Sequence, residues 1–152
     1  MNGDGEINFR DALFEGSPFV DGLDNDDNGY TDDLIGWDAS GEFGSEDNDP
    51  FPKTGVPNDS EWAHGTHVAG ILAAVTDNGI GMASSVFNGK ILSVKCSLEN
   101  KNNGEDIHDP VLDNGYDGIT YAAKTGYYAG VRTIINCSWG GGGFSSSENS
   151  VI

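Results

Sequence analysis

Residues 61–75 read EWAHGTHVAGILAAV, and the apolar positions Val68, Ile71, Leu72 and Val75 follow the i, i+3, i+4, i+7 spacing of a helix with one apolar stripe. That stripe is expected to be buried against a second layer, and the rest of the chain says which kind. Residues 90–96 (KILSVKC) read as a short strand, and residues 115–130 as a second helix with Ile119, Ala122 and Ala123 on its inner side. Residues 131–143 read as a strand running into glycines, and the Asn, Gly and Asp of residues 97–110 mark a loop. Asp77, Asn78 and Gly79 supply a stop for the first helix. Helices alternating with short apolar runs imply an α/β fold with a parallel sheet, because a crossover helix returns the chain to the same edge.

Residues 1–60 have a different texture. They are crowded with Asp, Asn and Gly, hold few consecutive apolar residues and are not expected to form much core unaided. The expected organisation is therefore an Asp/Asn/Gly-rich insert over 1–60 and an α/β part over 61–152. The formal net charge is −18, from 25 acidic against 7 basic residues, which argues against nucleic acid or an anionic membrane as partner and favours calcium. No apolar run approaches the ~18 residues that a membrane span needs. The N-terminus shows no basic start followed by an apolar core, so either the chain is cytosolic or a targeting segment lies outside it. Cys96 and Cys137 are expected as buried free thiols, since Cys packs as a small apolar residue, with a disulfide between them as the alternative.

The acidic stretch DNDDNGYTDD places side-chain oxygens at Asp24, Asp26 and Asn28, then Gly29, and offers Asp32 at the ninth position. This is the first two-thirds of the D-x-[DN]-x-[DN]-G calcium loop, in which alternate side chains turn inward and glycine permits the sharp turn. Ile35 stands where the bidentate Glu belongs, so Asp33 or a carbonyl has to complete the shell. Asp24, Asp26, Asn28 and Asp32 are the candidate ligands of a structural calcium, with a solvated acidic turn as the alternative. Asn2, Asp4, Asn8 and Asp11 repeat the look, but the first ligand would precede Met1.

His64 and His67 open the helix at i and i+3. The glutamate of HExxH is absent and His108 lies in a distant loop, which disfavours zinc. The chemistry that suits such a histidine is general base catalysis: one ring nitrogen faces a nucleophile and the other is held by a carboxylate. Gly65 and Gly70 permit close approach of neighbouring elements.

HGTHVAGILAA resembles the histidine motif of the subtilisin-like serine proteases, which implies that His64 is the base of a Ser-His-Asp triad. The resemblance extends to DGLDNDDNGYTDDLIGWD, which is similar to an insert of bacterial subtilases, to DNGIGMA and KILSVKC, and to TIINCSWGG. Together these cover most of residues 20–145 in the family's order. The resemblance implies a three-layer parallel-sheet fold and a polypeptide substrate. It implies that Ser138, Trp139 and Gly140 pair with the substrate backbone by β-augmentation, with Asn103 and Gly104 on the facing edge. It further implies export or a cell-surface location, a propeptide in the parent protein and no catalytic cofactor.

The departures are equally specific. No Asp-Thr-Gly-like segment after an apolar strand precedes His64; Asp38 follows a short apolar run, but its place after the acidic insert matches a different strand. Neither the Gly-Thr-Ser helix nor the oxyanion Asn has a counterpart. The resemblance thus implies an incomplete domain, lacking the central aspartate strand between residues 90–96 and 131–138 and lacking the nucleophile helix. Such a fragment is expected to be weakly folded and inactive alone. The alternative is a homologue that binds calcium or peptide without cutting.

Overall fold

The computed structural model describes residues 5, 7–14, 16–41, 45–57, 59–99 and 108–140. A 3-10 turn at Phe9–Ala12 is followed by β1 (Gly36–Asp38), α1 (Asp59–Trp62), α2 (His64–Ala73), β2 (Ser93–Lys95), β3 (Ser97–Glu99), β4 (Pro110–Leu112) and α3 (Gly115–Tyr128). β1 and β2 run parallel, with Gly36 opposite Ser93, Trp37 opposite Val94 and Asp38 opposite Lys95. The expected parallel pairing is therefore present, between a strand of the Asp-rich stretch and the strand expected at residues 90–96. A Cβ on Gly36, whose φ is +133°, would overlap the Ser93 carbonyl, so only glycine lets the two strands begin side by side.

Residues 97–110 are not simply a loop. Their two ends pair as an antiparallel ribbon, β3 with β4, in which Leu98 lies opposite Val111. Asn and Gly density hid the short strands on its flanks, and residues 100–107 between them lie outside the described set. Residues 131–140 carry no strand, contrary to expectation, and residues 141–143 lie outside the described set. An isolated strand makes no ladder bonds by itself, and among the described residues β2 pairs with β1 alone.

The core consists of Trp37, Ala39, Cys96 and Tyr121, with Tyr30, Leu92 and Val94 packed against it. It joins the Asp-rich stretch to the sequence beyond residue 61. The Tyr30 ring meets Trp37 and Tyr121 edge-on at 5.0 and 4.8 Å between centroids, and Trp37 stacks on Tyr121 at 6.0 Å. α3 turns Gly118, Tyr121, Ala122 and Gly126 inward. This is one step around the helix from the expected face: Ala123 is exposed and Ile119 half-buried, because Tyr121 fills the aromatic cluster.

α2 forms as its periodicity demands, yet it holds no buried side chain. Ile71 is 53 % and Val75 70 % exposed, so the stripe is present and uncovered. Packing touches mainly its C-terminal end, where the Ser85 and Val86 amides donate to the Ile71 and Leu72 carbonyls. The chain then reverses after the helix through left-handed Asp77 and Gly79, the expected stop placed four residues beyond the last helical residue. No helix among the described residues is long and apolar enough to cross a membrane.

Candidate catalytic histidine and its surroundings

α1 and α2 meet at Ala63, and His64 is the first residue of α2. Its ring is exposed, as is that of His67. The side chain that fixes this corner is Trp62, two residues earlier, which is buried. Its indole N–H donates to the His108 carbonyl at 2.7 Å. The Lys95 ammonium sits 5.9 Å from the centre of the Trp62 ring, within cation–π range. Lys95 is in turn held at 2.7 Å by Asp38, and both of these side chains are buried. The remaining Asp38 oxygen accepts from the Ser40 amide and hydroxyl. Asp38 is therefore committed to Lys95 and Ser40.

His108, distant in sequence from the helix histidines, is brought to the same corner. Its Nδ1 pairs with the Glu99 carboxylate, whose other oxygen receives Lys53 Nζ at 2.7 Å. The Lys53 hydrogen bond, then that of His108, holds the Glu99 carboxyl down at about 2. Sequence reading missed this Trp62, Lys95, Asp38, His108 and Glu99 network. Trp62 beside a histidine motif was visible, but the partners come from four separate segments with no shared spacing.

Ser138, Trp139 and Gly140 are exposed and outside any strand. The indole of Trp139 lies against Gly115, where an added Cβ would come within 3.2 Å of the ring, so this segment returns to the start of α3. Asn136 Nδ2 donates to the Ser138 hydroxyl at 2.7 Å. Asn103 and Gly104 lie outside the described residues, as do Asn2 and Asp4 of the first acidic motif.

The second acidic motif folds into a tight loop. The Asp24 carboxylate receives the amides of Asn28 and Gly29, and Asp26 receives the amide and Nδ2 of Asn28. Asn28 is buried; its Nδ2 also donates to Asp33 at 2.9 Å and to the Thr125 hydroxyl of α3 at 3.1 Å, while its Oδ1 accepts from the Tyr30 amide. Asp32 is turned away, its carboxylate taking the amides of Asp21 and Gly22, so Asp33 joins Asp24, Asp26 and Asn28 instead. Burial raises the Asp26 carboxyl above its ordinary range, and the charges of Asp33 and Asp24 add to that rise. The donors are hard oxygens of the kind calcium takes, but the Asn28 amide nitrogen, not its oxygen, faces the carboxylates. Among the described residues no group of three or more His, Cys, Asp or Glu side chains is arranged to hold a metal.

Both cysteines are free. Cys96 is buried but Cys137 is exposed, which corrects the expectation for the second: it sits on the unpaired segment after α3.

The model of the subtilase family matches residues 21–151. The chain belongs to the subtilase family. It is 32 % identical over 114 residues to the extracellular protease of Xanthomonas campestris pv. campestris, covering 73 % of this chain and 17 % of that protein. With thermitase of Thermoactinomyces vulgaris it shares 37 % identity over 106 residues, 70 % of this chain and 29 % of the relative. The cell wall-associated protease of Bacillus subtilis is 43 % identical over 79 residues, 52 % of this chain and 8 % of the relative. The subtilase chain thus spans less than a third of each of these relatives. No solved structure matches it at a significant level.

Proposed function

We propose that this chain supplies the histidine-bearing part of an exported subtilisin-like serine endopeptidase, with His64 as general base. The observation that carries the reading is the subtilase match across residues 21–151, which includes an HGTH segment whose first ring stands open to solvent at the start of α2. In this reading His64 takes the proton of a serine hydroxyl as that oxygen attacks the peptide carbonyl. It then gives the proton to the leaving amine, and water repeats the cycle on the acyl-enzyme. Ser138, Trp139 and Gly140 present backbone groups to the polypeptide substrate, with Asn103 and Gly104 opposite. Export rests on relatives whose names describe them as extracellular or cell wall-associated.

The triad's aspartate and serine, and a propeptide, are proposed to come from segments outside these 152 residues. Two features support this. Among the described residues the apolar stripe of α2 is uncovered, and β2 has one paired edge while residues 131–138 have none. One further strand inserted between them would pair with both. The test is hydrolysis of a protein substrate by the full-length protein and by its His64→Ala variant. Loss of at least ~10³-fold in kcat is expected for the variant, since triad members act as a unit. Proteolysis persisting in the variant would overturn the reading, and the 152-residue chain alone is expected to cut nothing.

The acidic loop is proposed to take a structural calcium through Asp24, Asp26 and Asp33, after the Asn28 side chain turns its oxygen inward. Its crowded carboxylates, whose charges add to the rise that burial gives the Asp26 carboxyl, support this. Calorimetric calcium titration of an Asp24→Ala, Asp26→Ala double variant is expected to lose the binding seen with the parent; unchanged affinity removes the loop as the site.

A further inference from the structure

We propose that Trp62 and the buried Asp38–Lys95 pair are positioning residues for the His64 ring, an inference that rests on His64 being the base. α2 carries no buried side chain, and so cannot hold its own first residue in place by packing. Among the described residues the buried side chain nearest in sequence is Trp62, at the end of the four-residue α1. At the N-terminal end of α2, remote from the Ser85 and Val86 hydrogen bonds at its other end, that indole is the buried anchor next to His64.

Trp62 is gripped on two sides by independent chemistry. Its ring edge donates to the His108 carbonyl, which places it against the β3–β4 ribbon. Its face looks toward the Lys95 ammonium, and Lys95 is the β2 residue paired with Asp38 of β1. Side-chain ion pairing and backbone register thus coincide at one rung of the parallel ladder. The consequence is that the β1–β2 sheet reaches the corner before His64 through a charge that cannot easily move: Lys95 and Asp38 are both buried, and separating them would strand a charge without solvent. The exposed ring of His64 is therefore hung from a rigid point two residues away. Misplacing a reacting group by about 1 Å costs on the order of 10²-fold in rate, so modest slack at Trp62 is readable in turnover.

The test uses the full-length protease. Trp62→Phe keeps a ring and removes the N–H; it is expected to lower kcat about tenfold with KM within about twofold, because the substrate strand is elsewhere. Lys95→Met combined with Asp38→Asn removes both charges of the pair, and the same kcat loss is expected. Lys95→Arg with Asp38 retained restores a cation and is expected to return kcat to within about threefold of the parent. A thermal melt of each variant reports folding separately. If Trp62→Phe and the double variant fold and keep the parental kcat, or if kcat falls only in proportion to the folded fraction, the positioning role is overturned. The His64→Ala protein is run alongside: if that variant still cuts, the underlying assignment of the base fails, and this outcome is distinct from the others.

Discussion

Around Tyr121 three aromatic rings from the acidic loop, β1 and α3 lie with centroids no more than 6.0 Å apart, and Tyr121 itself is wholly buried. Along α2, ten residues of higher apolar content bury no side chain at all. The stretch poorest in apolar runs thus contributes Trp37 and Ala39 to the core, and α2 contributes no buried side chain. The contrast teaches that periodicity reports what a helix is built to bury, while burial depends on whether the partner surface is present. A few aromatics spaced among aspartates suffice when each meets a complementary ring, because each buries a large area and gains from edge-on contact.

The two cysteines measure the contrast with the largest expected effect. Burial, reinforced by the negative charge of Asp38, pushes the Cys96 thiol up to about 12 from a reference of 9.0. Cys137 is exposed, though burial of part of its surroundings raises its thiol as well. Alkylation proceeds through the thiolate, so Cys96 in the native protein is expected to react on the order of 10³-fold more slowly than an unperturbed thiol. Mass spectrometry after timed iodoacetamide treatment at pH 8 should find Cys137 modified and Cys96 intact. Equal labelling of both would mean that the core around Tyr121 opens as readily as the surface of the last segment.

Glycine substitutions sharpen the same comparison. A Cβ on Gly118 would overlap Cys96 Sγ and come within 3.0 Å of Val94, so α3 has to back away from β2. Gly118→Ala is expected to cost about 1–3 kcal/mol by overpacking. Gly65 in α2 has no atom within 4 Å of the same added group. Gly65→Ala is expected to stabilise the 152-residue chain by up to about 1 kcal/mol, through helix propensity alone. Urea melts of the two variants should shift in opposite directions. If in the full-length protein Gly65→Ala becomes destabilising, the helix is covered there, as the proposed missing layer requires.

A smaller effect is expected at the bottom of the core. The Tyr121 hydroxyl is buried without a well-formed hydrogen bond, and burial followed by the neighbouring Asp33 carboxylate raises its pKa strongly. Tyr121→Phe keeps the ring contacts and removes the unsatisfied group, so a gain of about 1 kcal/mol in unfolding free energy is expected. A loss of similar size would mean that the hydroxyl is anchored to the acidic loop.

How much of this was legible in the sequence follows from the range of the interactions. α2 and α3 were readable because helical periodicity is local, and β2 because an apolar run between polar flanks is local too. The parallel partner of β2 was not readable: Gly36, Trp37 and Asp38 sit at the end of an acidic stretch, and their role is set by residues nearly sixty positions away. His64, Asp24, Asp26 and Asn28 were singled out by motif, and the structure puts His64 at the start of α2 and the other three in one tight loop. Asp33 rather than Asp32 enters the loop because Asp32 adopts a left-handed backbone, φ +55°, which no spacing rule encodes. The Trp62 network was invisible for the same reason as the β1–β2 register, since its members share no periodicity.

The smallest expected effect links the two regions, at the Glu99 carboxylate that joins Lys53 and His108. Its folded pKa lies near 2, below the reference of 4.5, and the Lys53 hydrogen bond is the main cause. A carboxyl depressed on folding binds fewer protons in the native state, so its contribution is fully present above about pH 4.5. It is lost as pH falls from there through about 2. The group is solvent-accessible, which keeps the effect small and salt-sensitive. Thermal melts of the parent and of Glu99→Gln should therefore differ at pH 6, converge between pH 4 and pH 2, and differ less in 1 M salt. A gap that stayed constant down to pH 2 would show that Glu99 acts by shape alone, and the corner that carries Trp62 would then be held without its outer ion pair.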